Sequence, residues 1–138
     1  MKDVAYIAIG SNLGQREVFL AMARRGISAL PKTRVLAQTD AEETAPLGPV
    51  TQGPFLNQMI AVETELSPQD MLAELKRIEV EAGRVRTARW GPRTLDLDIV
   101  LFEKQSMAEP GLTVPHPELP NRDFWLRELA TLRGINVG

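Results

Sequence analysis

The sequence predicts an α+β fold, a ferredoxin-like βαββαβ sandwich in which a largely antiparallel sheet carries helices on one face. Two observations lead to this prediction. Apolar or alternating segments of strand length and segments with helical spacing of apolar residues follow one another in the order strand, helix, strand, strand, helix, strand. The chain also has 138 residues, 43% of them hydrophobic, so we expect residues 1–138 to form a single domain with a substantial core.

The first half of the pattern runs from an apolar strand to a long loop. Residues 4–9 are an apolar run typical of a buried strand, and the GSNLG segment at 10–14 predicts a turn after it. A helix is expected over 16–30, where apolar residues recur at helical spacing until a proline follows. Residues 33–39 have an extended, β-branched composition. The Gly- and Pro-rich segment 40–54 predicts a loop, and its length favours a functional role over a plain surface connection.

The second helix has the clearest boundaries in the sequence. A strand is expected over residues 55–65. Ser67 then provides an N-cap, Pro68 a first-turn proline and Asp70 an acid in the first turn. Gly83 stands where a C-cap glycine belongs, so the spacing predicts a helix that ends just before it.

Three further elements complete the chain. Residues 95–102 predict a strand, residues 112–114 a short one, and residues 123–132 a last helix with Asn121 near its start. The apolar runs are far shorter than the ~20 residues that span a bilayer. We therefore expect a cytoplasmic protein with no membrane partner.

Composition narrows the possible chemistry. The chain has no cysteine and one histidine, His116, which excludes disulfides, thiolate zinc sites, iron–sulfur clusters and histidine-cluster metal sites. Any bound metal would therefore have oxygen ligands, which favours magnesium, manganese or calcium. The net charge of −2 argues against nucleic acid as the main partner.

Two aspartates lie in the predicted strand at 95–102. The alternation of LDLDIVL puts Leu95, Leu97 and Ile99 on one face and Asp96 and Asp98 on the other. Aspartate is uncommon in strands, and a divalent cation would relieve the repulsion between two carboxylates at this spacing. The alternative is that both are exposed charges that protect an edge strand from aggregation.

Arginines are concentrated just before this strand. Twelve of the sixteen cationic residues are arginine, and residues 84–93 (RVRTARWGPR) hold four of them and no acid. Guanidinium groups beside a carboxylate-bound metal are the arrangement that phosphoryl transfer uses. Trp90 would either stack on a base or pack beneath this loop. Alternatively, the arginines form a solvated face.

Two smaller signals concern ligand recognition. Phe55 and Asn57 share a face of the predicted strand at 55–65, which places an aromatic ring beside an amide that donates and accepts. Such a pair suits a flat heterocycle, although a strand phenylalanine more often belongs to the core. His116 lies between two prolines and either contacts a phosphate or has no ligand role.

Several segments together resemble the 6-hydroxymethyl-7,8-dihydropterin pyrophosphokinases of folate biosynthesis. The longest match is RWGPRTLDLDIVLF at residues 89–102. Shorter matches are AYIAIGSNL at 5–13, TAPLGP at 44–49, FLN at 55–57, RIE at 77–79, GRVR at 83–86, LTVPH at 112–116 and NR at 121–122. These segments extend over most of the chain to about residue 124.

The resemblance implies an ATP-dependent diphosphokinase that moves pyrophosphate from ATP to the hydroxymethyl group of the dihydropterin and releases AMP. It implies two Mg²⁺ ions held by Asp96 and Asp98, with Arg84 and Arg93 engaging phosphates as catalytic groups. The pterin-binding residues that it implies are Thr44, Pro46, Leu47, Phe55, Asn57 and Phe124. The ATP-binding residues that it implies are Glu79, Arg84, Arg86, Trp90, Arg93, Ile99, Thr113, His116 and Arg122. Both substrates are small molecules, and we expect a monomer.

Two other functions are compatible with the residues alone. One is a non-catalytic ferredoxin-like module that binds RNA or phosphates through the arginine segment. The chain has only seven aromatic residues and no RNP-like motif, which argues against RNA reading. The other is a degenerate relative that binds pterin without turnover.

Overall fold

The structure is a computed structural model that describes residues 2–45, 53–83 and 94–137, without the side chains of 135–137. Seven strands and three α-helices lie in these ranges. In chain order they are β1 (Asp3–Ser11), α1 (Arg16–Ser28), β2 (Thr33–Gln38), β3 (Glu42–Thr44), β4 (Phe55–Thr64), α2 (Pro68–Glu81), β5 (Asp96–Phe102), β6 (Met107–Glu109), β7 (Leu112–Val114) and α3 (Asp123–Val137). A single 3-10 turn, Leu119–Asn121, precedes α3.

The main sheet has the strand order β2-β4-β1-β5, and β3 pairs with β4 beyond the end of β2. Every pair in it is antiparallel. Since β1 and β2 both run antiparallel to β4 between them, they are parallel to each other and joined by α1, which is the split βαβ connection. The predicted α+β, ferredoxin-like fold is thus confirmed.

The two faces of the sheet have separate cores. Alternate residues of β1 such as Ile7 and Ile9 pack with α1 and α2, whose apolar stripes are buried against the sheet. Tyr6 and Ala8 point the other way and pack with α3. The two helices of the βαββαβ unit therefore share one face, and α3 covers the opposite face.

Local capping chemistry sets the bounds of α2. The Ser67 side chain accepts a hydrogen bond of 3.1 Å from the backbone N–H of Asp70, and Pro68 begins the helix. Gly83 has a φ of +69°, the left-handed conformation that follows a helix end. The boundaries predicted from these residues are confirmed.

Several sequence predictions need correction. β1 continues through Gly10 and Ser11, which were predicted to form a turn, because both pair with β4. β3 lies inside the predicted 40–54 loop, β6 was not predicted, and α3 continues beyond residue 132 to Val137. Within the described part of the chain, no helix is long and apolar enough to cross a membrane.

Candidate active site

The candidate site lies on the α3 face of the sheet, where three adjacent strands bring functional residues into one row. Gly10 on the central strand β1 is paired with Asn57 of β4 on one side and with Asp96 of β5 on the other. Paired residues of an antiparallel sheet lie on the same face, about 5 Å apart. The predicted heterocycle-binding amide and the predicted metal-binding carboxylate are therefore about 10 Å apart along this row.

Gly10 keeps the middle of the row open. A Cβ atom at this position would lie 3.2 Å from Asn57 Oδ1 and 3.3 Å from Phe55 Cδ1. Both distances are shorter than an ordinary van der Waals contact, so any side chain here would displace the amide or the ring. The glycine thus provides the space in which a flat ligand can meet both groups.

We expect Gly10→Ala to weaken binding of the ligand that meets Asn57 and Phe55 by roughly tenfold, since the amide would lose one well-aligned hydrogen bond. Calorimetry with hydroxymethylpterin and melting curves would measure the effect. Gly134→Ala is the matched control, because a Cβ there meets nothing within 4 Å. Unchanged pterin affinity in Gly10→Ala would contradict this account of the row.

The Asn57 side chain is oriented by its neighbour on β3. Its Nδ2 donates to Thr44 Oγ1, and Thr44 is paired with Phe55 in the sheet. Asn57 is 7% exposed, so a ligand would meet an amide that is almost fully desolvated. The predicted pterin residues Thr44, Phe55 and Asn57 are therefore brought together.

The second half of the site joins β5 to the segment after β7. Asp98 lies on the same strand face as Asp96, and its Oδ1 is 3.7 Å from Nε2 of His116. His116 Nδ1 accepts a 3.0 Å hydrogen bond from the backbone N–H of Glu118, so the neutral ring carries its hydrogen on Nε2, facing Asp98. Burial and the positive charge of Arg122 lower the pKa of His116 from its ordinary value.

Arg122 and Phe124 reach this region at the start of α3. The Arg122 guanidinium lies over the ring of Trp125, 4.2 Å from its centroid, and Phe124 meets the same ring edge to face at 6.2 Å. The predicted nucleotide residue His116 thus lies beside Asp98, and Arg122 contacts the same Trp125 ring as His116. The predicted pterin residue Phe124 is on the same side of the sheet.

The donor set around β5 fits magnesium. Asp96 and Asp98 are half-buried carboxylates on one strand face, about 7 Å apart along the strand. Magnesium is commonly held by one or two carboxylates together with substrate phosphates and water. No group of three or more His, Cys, Asp or Glu side chains that could hold a metal occurs in residues 2–45, 53–83 and 94–137.

Three predicted ATP-binding residues lie away from the row. Glu79 is buried on α2, where its Oε2 accepts a 2.7 Å hydrogen bond from the backbone N–H of Leu97. The Ile99 side chain packs in the core with α1 and α2, which leaves its main-chain atoms for any ligand contact. Thr113 is exposed on β7. Their contacts with nucleotide stay predictions.

Six predicted site residues lie outside the described part of the chain. They are Pro46, Leu47, Arg84, Arg86, Trp90 and Arg93. The segments that contain them adjoin described site residues. Residues 46–52 connect β3 to β4, and residues 84–93 connect α2 to the start of β5.

Sequence reasoning missed two residues of the site. The GSNLG segment predicts a turn at Gly10, but in the structure Gly10 is a residue of β1 and pairs with β4 and β5. Trp125 was not singled out, although it contacts His116, Arg122 and Phe124. The signal for Trp125 in the sequence is its position three residues after the family-matching Asn121–Arg122 pair.

Comparison with known proteins agrees with this geometry. A family model described as 7,8-dihydro-6-hydroxymethylpterin-pyrophosphokinase matches residues 6–134. A protein of Pseudomonas aeruginosa named 2-amino-4-hydroxy-6-hydroxymethyldihydropteridine pyrophosphokinase is 46% identical over 127 residues, which cover 92% of this chain and 78% of that protein.

Two other curated relatives carry the same name. The Haemophilus influenzae protein is 46% identical over 120 residues, 87% of this chain and 75% of its own length. The Bacillus subtilis protein is 41% identical over 132 residues, 96% of this chain and 79% of its own length. The family expected from the sequence motifs is confirmed, and this chain belongs to the 7,8-dihydro-6-hydroxymethylpterin-pyrophosphokinase family.

Proposed function

We propose that this protein transfers the pyrophosphoryl group of ATP to the hydroxymethyl group of 6-hydroxymethyl-7,8-dihydropterin in folate biosynthesis. The observation that carries the proposal is the row Asn57, Gly10 and Asp96, which sets a heterocycle-binding amide one strand away from the carboxylate pair. Family membership supports the same activity, as do the names of the relatives. An RNA-binding module would need neither feature.

In the proposed reaction the hydroxyl oxygen of the pterin attacks the β-phosphorus of ATP. The bond from this phosphorus to the oxygen that bridges it to the α-phosphorus breaks, AMP leaves with that oxygen, and the hydroxyl proton passes to solvent. Binding both substrates along one row of the sheet favours this step, because much of the catalysis in phosphoryl transfer comes from positioning and charge stabilisation.

Each half of the site has a proposed task. Asn57 and Thr44 orient the pterin edge, while Phe55 and Phe124 cover its ring. Asp96 and Asp98 would hold two Mg²⁺ ions, which when bound neutralise charge on the triphosphate. His116 and Arg122 contact the nucleotide, and Arg84 and Arg93 engage its phosphates.

The proposal also includes further substrate-binding residues and the setting in which the protein acts. Residues 1–138 would act as one pyrophosphokinase domain, with Glu79, Arg86, Trp90, Ile99 and Thr113 contributing to ATP binding. Pro46 and Leu47 would complete the pterin pocket. The cytoplasmic location, the monomeric state and the absence of nucleic-acid and membrane partners stay predictions.

The amide of Asn57 provides the sharpest test of the pterin half. We expect Asn57→Ala to lower pterin affinity by roughly ten- to a hundredfold, since a buried ligand edge loses its hydrogen-bond partner. Affinity for an unreactive ATP analogue should change by less than about twofold. Calorimetry of each ligand, with the pterin titrated in the presence of the analogue and magnesium, measures both.

Gln58→Ala is the matched control for Asn57→Ala. Gln58 is a buried amide next to Asn57, but it points to the opposite face, where Arg24 of α1 donates to its Oε1 at 2.9 Å. Its loss should lower stability and leave pterin affinity unchanged. If Asn57→Ala loses nucleotide affinity and keeps pterin affinity, the two substrates have been assigned to the wrong halves of the row.

A further inference from the structure

Trp125 contacts several of the proposed ligand-binding groups but has no ligand-binding role of its own in the site described above. Trp125 lies in the first turns of α3 and is 2% exposed. Its ring meets His116 edge to face at 4.9 Å between centroids, with the planes at 87°. The guanidinium carbon of Arg122 stands 4.2 Å from the same ring.

We infer that Trp125 is a positioning residue for the nucleotide half of the site, holding His116 and Arg122 in the orientation that ATP requires. This inference rests on the proposed function for the identity of the ligand. Edge-to-face aromatic pairs and cation–π contacts both have preferred geometries, so one indole ring can orient both side chains.

The indole ring of Trp125 is itself packed against the sheet. It belongs to the apolar cluster of the α3 face, together with residues of β1, β4 and β5 such as Tyr6, Met59 and Val100. The backbone N–H of Trp125 donates to the carbonyl of Arg122 at 3.0 Å, which ties the start of α3 to the arginine it orients. Because Trp125 is fixed against the sheet, its ring can hold the side chains of His116 and Arg122 at a defined position relative to the sheet.

His116 and Arg122 each depend on this ring. The backbone of His116 is anchored to β5 by a 2.8 Å hydrogen bond from its N–H to the Val100 carbonyl. The edge of the imidazole is held at Nδ1 by the N–H of Glu118, and Trp125 supplies the ring contact beside it. The Arg122 Nε is buried and has no hydrogen-bond partner among the described residues. The guanidinium lies over the indole ring of Trp125, and this contact favours one orientation of the guanidinium plane.

The test compares Trp125→Leu with Trp125→Phe. The leucine variant keeps an apolar side chain and loses the ring, so we expect the KM for ATP, and the Kd of an unreactive ATP analogue, to rise roughly tenfold. The KM for the pterin should rise by less than about threefold. Trp125→Phe keeps an aromatic ring and should restore most of the nucleotide affinity.

His116 is the only histidine in the chain, so its ring resonances are unambiguous in NMR spectra. In the wild type they should carry the ring-current shift of Trp125, which Trp125→Leu removes. Leu129→Ala is the matched control, because Leu129 is 5% exposed in the same cluster and is one helical turn away. It should lower the melting temperature and leave the His116 resonances and the nucleotide affinity unchanged.

Three outcomes would overturn the inference. They are unchanged nucleotide affinity in Trp125→Leu, an equal rise in the KM of both substrates, and loss of nucleotide affinity in Leu129→Ala as well. If Trp125→Leu does not fold, nuclear Overhauser contacts between the His116 and Trp125 rings in the wild type decide instead. They must persist with the ATP analogue bound, and their absence there contradicts the inference.

These measurements also separate this inference from the proposed function. A wild type that binds the analogue but shows no turnover would contradict the proposed activity, while the nucleotide-binding and NMR results would still test Trp125. Turnover in the wild type together with unchanged nucleotide affinity in Trp125→Leu would support the proposed activity and contradict the role of Trp125.

Discussion

Replacing either Asp96 or Asp98 by alanine is expected to lower kcat by orders of magnitude, roughly a thousandfold, without unfolding the protein. Each substitution removes a carboxylate from the proposed magnesium site, and charge stabilisation of this kind contributes several kcal/mol to phosphoryl transfer. Both side chains are half-buried on the sheet surface, so neither change empties the core. Turnover at saturating magnesium, with melting curves in parallel, measures the two effects separately.

Two further variants test whether the charge of the aspartate at this site is what matters. Asp98→Asn keeps the size of the side chain and should lose as much activity as Asp98→Ala. Glu63→Ala on β4 removes a strand carboxylate that is 31% exposed, against 30% for Asp98, and it should leave kcat within about twofold. Near wild-type turnover in either aspartate variant at saturating magnesium would show that the metal assignment is wrong.

Ionisation of Glu128 is expected to have the largest effect on stability, which should fall as the pH rises. This residue of α3 is 3% exposed, and neither carboxylate oxygen has a hydrogen-bond partner in the part of the chain that the structure describes. Burial, with a smaller contribution from the negative charge of Glu42, raises the pKa of Glu128 from 4.5 to about 8. Arg127, which pairs with Glu42 at 2.7 Å, acts in the opposite direction.

The raised pKa makes folding favour the protonated carboxyl. Below the ordinary pKa of 4.5 both the folded and the unfolded states are protonated, so Glu128 adds no pH dependence. Between about pH 4.5 and 8 only the folded state keeps the proton, and stability falls by about 1.4 kcal/mol for each pH unit. The fall levels off as the pH passes about 8 and the folded state also ionises, after a total loss on the order of 4 kcal/mol.

Glu128→Gln should abolish this fall, because the amide has nearly the shape of the protonated acid and does not ionise. We expect the variant to unfold at a higher temperature than the wild type at pH 8.5, and at a similar temperature at pH 5. Chemical denaturation across this range measures the free energy of unfolding. Equal pH dependence in the two proteins would contradict the burial of an unpaired carboxyl.

Glu103→Gln is the control of opposite sign. The hydrogen bond from Arg133 lowers the pKa of Glu103, so this group adds stability above its ordinary pKa, and that stability is lost as the pH falls through the lowered value. The variant should therefore be less stable than the wild type at neutral pH. If Glu128→Gln raises stability and Glu103→Gln lowers it, the two effects come from the local environment of each carboxyl, since both substitutions remove the same charge.

The parts of the site predicted correctly from the residues depend on local periodicity. A strand turns alternate side chains to opposite faces, so the LDLDIVL segment already put Asp96 and Asp98 together, and Phe55 shared a face with Asn57 for the same reason. Assigning these residues to nucleotide and pterin came from the family resemblance. Those individual assignments stay predictions.

The sequence by itself determined the local structure, which depends on residues that are close together in the chain. Ser67, Pro68 and Gly83 set the bounds of α2 through hydrogen bonds and backbone preferences that act within a few residues. Only the tertiary structure decided that Gly10 is placed between Asn57 and Asp96, that Trp125 lies against His116 and Arg122, and that Glu128 is buried. These arrangements depend on strand register and on how α3 packs against the sheet, which are set by contacts between residues distant in sequence.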